Sequence, residues 1–137
     1  MLQLIYPQAE KTTIQTYDSG FRVQEEVIWG PDANTTLYTI PQGKKLYILN
    51  YSLCTSKEGL VVVPCWPWGQ LYVWDPLHAV SETLVDHFFE SQENGTSALA
   101  STGTMIEKSF PAGYEVTGFA GVDTICTASF IGVIVDV

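Results

Sequence analysis

Four residues spaced by four, His78, Glu82, Asp86 and Glu90, are the first candidates for chemistry in this 137-residue chain. On a helix they line one face, with His87 and Glu93 close by. Carboxylates and imidazoles are what a divalent cation needs, yet a metal centre ordinarily brings histidines at close spacing. Here there are two histidines and no His-x-His pair. A solvated acidic face accounts for the spacing without a ligand. A cation held by several carboxylates at a subunit axis is the alternative. The cupin pattern, a His-x-His pair, a Glu shortly after and a later His, does not occur in that order. Nor does Gly-x-Ser-x-Gly, and no cysteine has a histidine in its local motif. Spatial pairing of Cys54 or Cys65 with His78 or His87 stays open. A glycosidase pair is unreadable, because any two of 15 acids can meet in space. The reading is a non-enzymatic chain with no catalytic, cofactor-binding or metal-binding residues.

Trp66, Trp68, Tyr72 and Trp74 are the strongest binding candidates. Pro67 stiffens the stretch Cys65-Trp66-Pro67-Trp68-Gly69-Gln70 into an aromatic loop. Such a loop offers a flat platform to a sugar ring or a protein hot spot. The same rings would also serve as core, plugging one end of a sandwich, and aromatics dominate cores as well as interfaces. Both readings stay open at this stage.

Composition narrows the partners. Apolar residues make up 46% of the chain and aromatics 12%, enough for one core without disulfides. Charged residues are 15%, against roughly 25% in globular proteins, a hint that much of the surface meets other protein. The net charge of −9 and six cations, clustered only as Lys44-Lys45, argue against nucleic acid and anionic membranes as partners. Cys54, Cys65 and Cys126 are odd in number and lack CxxC spacing, so neither a disulfide framework nor a zinc ribbon fits. Their apolar neighbours predict buried free thiols. The stretch Met1–Pro7 lacks a basic region and a long apolar run, so it does not read as a signal peptide.

The elements that would hold these residues are strands. Two phrases stand out, Thr39-Ile40-Pro41-Gln42-Gly43-Lys44 and Phe110-Pro111-Ala112-Gly113-Tyr114. In each an apolar run stops at Pro, turns at Gly and restarts, a pair of corners expected between stacked antiparallel sheets. Strands are predicted over Phe21–Trp29, Thr36–Ile40, Lys45–Thr55, Leu71–Trp74, Tyr114–Ala120 and Thr124–Val137. Leu60–Pro64, apolar on both faces, reads as a central strand. In Lys45–Thr55 strict alternation puts Tyr47, Leu49, Tyr51 and Leu53 on one face, and Leu46, Ile48, Asn50, Ser52 and Cys54 on the other. Asp75-Pro76 opens a loop with at most a short helix in the 76–90 region, followed by a strand over Leu84–Phe89. Residues 1–20 read as an extended N-terminal arm of a single domain spanning 1–137.

With both corners placed, the chain resembles the small β-sandwich or jelly-roll modules of virion structural proteins in tailed bacteriophages, whether capsid decoration or tail-associated. The resemblance covers roughly residues 36–137. It rests on Thr39–Lys44, the strand Tyr47–Ser56, the run Leu60–Pro64, and the closing Phe110–Val116 and Ala128–Val135. Tyr114 stands where that pattern often has Asp, and the Cys65–Trp74 loop and Asp75–Glu93 look like insertions. The resemblance implies a jelly roll without catalytic residues, assembled as a homotrimer on a major capsid or other virion protein. It also implies a cement role and a place in the virion after synthesis in a host cytoplasm. The other function in view is a carbohydrate- or receptor-binding module using the Trp66/Trp68/Trp74 loop.

Overall fold

The computed structural model describes residues 12–17, 20–94 and 97–137. Nine strands follow one another: β1 (Thr12–Tyr17), β2 (Gly20–Trp29), β3 (Ala33–Thr39), β4 (Lys44–Lys57), β5 (Trp68–Asp75), β6 (Val80–Phe88), β7 (Ala98–Pro111), β8 (Glu115–Ala120) and β9 (Thr124–Asp136). They form two antiparallel sheets, of order β1-β2-β9-β4-β7 and β3-β8-β5-β6. The chain crosses between the sheets repeatedly, and the orders 2-9-4-7 and 3-8-5-6 are those of a jelly roll, two interlocked Greek keys. The expected all-β sandwich of jelly-roll type is the fold observed. Of the expected N-terminal arm, Thr12–Tyr17 pair with β2, and the rest of it before Gly20 lies outside the described residues.

The two Pro-x-Gly corners are the crossings from β3 to β4 and from β7 to β8. Gly43 and Gly113 take positive φ, 76° and 88°, which an L side chain resists. Lys44 N–H donates to Pro41 O at 3.2 Å, and Tyr114 N–H to Pro111 O at 3.4 Å. The corners also bond to each other, Ile40 N–H to Tyr114 O at 3.0 Å and Gly113 N–H to Ile40 O at 2.9 Å. Two distant phrases of sequence thus close one end of the sandwich together.

Three sequence expectations are corrected. In β4 the pairing with β9 slips between Ile48 and Asn50, a bulge that inverts which side chains face inward. Leu46 and Ile48 face the core before it, and Leu53 and Thr55 after it. Cys54 therefore lies exposed on the outer face, whereas Cys65 and Cys126 are buried as expected, and all three are free. Leu60–Pro64 is not a central strand but part of the β4–β5 loop. Strand β4 is already flanked by β9 and β7, so the chain has to cross to the other sheet. Lys57 Nζ fixes the turn by donating to the carbonyls of Glu58, Gly59 and Val61. Finally, no helix occurs among the described residues. The Asp75 carboxylate does accept the N–H groups of Leu77 and His78, as an N-cap would. Ala79 then turns at φ 53° and β6 begins at Val80, closing a β5–β6 hairpin instead.

The core lies between the inner faces, where Leu46, Ile48, Leu53, Leu71, Val73, Val116 and Phe130 are fully buried. The last strand, β9, is central in its sheet, and Cys126, Ala128, Phe130 and Ile134 all point into this core. Trp29 is the tryptophan of the core, its ring laid over Gly118, where an added Cβ would sit 2.2 Å from Cζ2.

Candidate functional site

Strand β5 alternates cleanly. Gly69, Leu71 and Val73 point into the core, while Trp68, Gln70, Tyr72 and Trp74 point outward. The sequence-predicted aromatics Trp68, Tyr72 and Trp74 thus share the outer face of the four-stranded sheet. They do not plug the sandwich, because the inward places beside them are filled by smaller side chains. Trp66 does not join them: it lies in the loop before β5 and is 54% exposed.

The outward row is built by register. Tyr72 lies opposite Thr117 of β8 and Thr83 of β6, and Thr117 opposite Thr36 of β3. Trp74 lies between Glu115 and Ser81. With Gln70 and Asn34 these residues line a cleft of about 560 Å³. Burial, and then the nearby Glu115 charge, push the Tyr72 phenol above its ordinary value, so it stays a hydroxyl donor at neutral pH. Beyond Gln70, Trp68 packs edge-on against Phe88 and Phe119, with centroids 6.1 and 5.0 Å away. Its indole N–H donates to Asp86 Oδ1 at 2.9 Å. That bond and those edges fix the ring against the sheet.

The quartet His78, Glu82, Asp86 and Glu90 does not converge, because the segment is a turn and a bulged strand rather than a helix. Asp86 holds Trp68, Glu82 pairs with Lys108, Glu90 accepts from Gln92, and His78 Nδ1 lies 2.7 Å from Asp75 Oδ2. Among the described residues no three His, Cys, Asp or Glu side chains gather in a way that could hold a metal ion. Asp75 is the carboxylate that sequence reasoning missed. Burial pushes its pKa up, but hydrogen bonds from His78, Tyr114 and the backbone outweigh burial and hold it below its ordinary value. Its tie to Tyr114, next to the second corner, joins the β5–β6 hairpin to that corner.

The other histidine is interior. His87 Nδ1 is 3.0 Å from Thr55 Oγ1, and Nε2 is 2.7 Å from Ser101 Oγ. Thr55 in turn lies 3.7 Å from Cys126 Sγ. No cysteine contacts either histidine directly in these bonds. Burial lowers the His87 pKa against the raising effect of Asp86, and burial pushes the Cys126 thiol up to about 11. The imidazole is held neutral between two hydroxyls, beside a protonated thiol, and its two ring nitrogens bond to those hydroxyls rather than to a carboxylate.

A second surface occupies one end of the sandwich. Glu58 N–H donates to Asp123 O, Gly121 N–H to Trp68 O, and Cys65 bridges to Ser91, so the β4–β5, β8–β9 and β6–β7 loops lie together. They present Leu60 (92% exposed), Val62 (81%), Trp66 (54%) and Val122 (65%).

No family model matches the chain, and no curated protein matches it. Among solved structures, the capsular polysaccharide assembling protein CapF from Staphylococcus aureus aligns over 88% of this chain with 8% identity and a TM-score of 0.27. This chain spans 30% of that one. A likeness of this size carries no functional argument.

Proposed function

We propose that the chain is a non-enzymatic virion structural protein, a capsid decoration or cement protein that acts as a homotrimer. The observation that carries the reading is the apolar loop end. A solitary domain rarely gathers four exposed large apolar side chains in neighbouring loops, whereas a protein-binding domain does. The jelly roll and the resemblance of the corner motifs to phage virion modules support the viral setting. The charge-poor surface supports extensive protein contact.

In this reading the apolar end is buried against neighbouring copies, and the trimer clamps capsid subunits. Stabilisation follows by mass action, since the trimer binds the assembled shell and not its dispersed parts. Synthesis is in the host cytoplasm and the working location is the particle. Light scattering on a dilution series tests the assembly. The expected mass is three times the 15.2 kDa chain at every concentration. A monomer throughout would overturn the trimer.

A further inference from the structure

We propose that the cleft on the outer face of the four-stranded sheet binds an uncharged carbohydrate, with sugar rings stacked on Trp74 and Tyr72. This inference concerns the single chain and does not rest on the virion reading. Trp74 and Tyr72 stand two residues apart on one strand and on one face, which spaces them by roughly 7 Å. Each offers a flat π surface to the C–H face of a pyranose ring.

The rim of a sugar is a ring of hydroxyls that both donate and accept. Gln70 and Asn34 supply amides of both kinds, Thr83 a hydroxyl and Glu115 an acceptor. An apolar peptide seated here would leave those groups desolvated and unpaired, at a cost on each. Among the described residues no Lys or Arg lines the cleft and one carboxylate does, and the chain carries −9. Phosphate, sulfate and sugar acids are therefore repelled. The volume of about 560 Å³ falls within the range of small-molecule sites.

Affinity electrophoresis of the purified full chain tests this. Gels contain xyloglucan, galactomannan, mixed-linkage β-glucan or glycogen, with dextran sulfate as the anionic probe. The expected result is retardation by at least one neutral polysaccharide and none by dextran sulfate. Trp74→Ala should weaken that retardation by about tenfold or more, and Trp66→Ala should leave it unchanged. Ser81→Trp fills the cleft from an exposed rim position without removing buried surface, so it should block binding even if Trp74→Ala fails to fold. Migration unaffected by all four neutral polysaccharides overturns the proposal. So does retardation by dextran sulfate, or retardation that Ser81→Trp leaves intact.

Discussion

Glu25 carries the most perturbed carboxyl in the described chain. It sits on the inner face of β2 between Val23 and Val27, and burial pushes its pKa from 4.5 to about 8. The folded chain therefore binds this proton more tightly than the unfolded chain does. Stability from this group is complete below about 4.5, falls as pH rises toward about 8, and levels off above it. The loss is on the order of a few kcal/mol. Glu25→Gln should remove that fall, so that urea midpoints at pH 7.5 and pH 9 come together. Midpoints that stay apart would show that another group causes it. His87 works in the opposite sense, because burial lowers its pKa from 6.5. In the Glu25→Gln background the remaining loss of stability on acidification below 6.5 should come from His87 and shrink in His87→Gln. That Glu25 faces inward is legible from the alternation Val23, Glu25, Val27, Trp29. That His87 is interior is not, because its strand bulges opposite Leu71 and Tyr72 and the period of two breaks there.

Strands were the legible elements, and their breaks were the hard part. The corners were readable because Pro and Gly act locally, whatever the rest of the chain does. Gly43 has positive φ and nothing within 4 Å of an added Cβ. Gly43→Ala should therefore cost about 1–2 kcal/mol from the backbone alone, with the native fold kept. Gly118→Ala is the contrasting case, since its φ is ordinary and the new methyl meets Trp29. It should cost about 1–3 kcal/mol by overpacking, with a change in Trp fluorescence that Gly43→Ala lacks. Equal spectra for the two would contradict the Trp29–Gly118 contact. The β4 bulge was hidden because one unpaired residue leaves no compositional mark, and it is what turned Cys54 outward. Leu60–Val63 misled because β-branched residues signal strand only where an edge is free to pair, and β4 has none.

At the scale of the molecule, the four tryptophan-loop candidates divide between two surfaces. Trp66 belongs to the apolar loop end, and Trp68, Tyr72 and Trp74 to the sheet face. From sequence the loop was one object, because the turn that separates Trp66 from β5 is set by bonds to distant loops, Gly121 N–H to Trp68 O among them. If the apolar end is where copies meet, Leu60→Ser with Val62→Ser should shift the light-scattering mass to that of one chain and leave its far-UV circular dichroism unchanged, since both side chains are exposed on the single chain. A trimer that survives both changes would move the contact elsewhere. The proposed role is that of a working part of a virus particle. Its most direct test is quantitative mass spectrometry of density-purified particles from cells that carry the sequence, with the free lysate measured alongside. The chain is expected on the particles, at a copy number comparable to that of the capsid subunits. A chain found only in the lysate, with particles complete without it, would contradict that role.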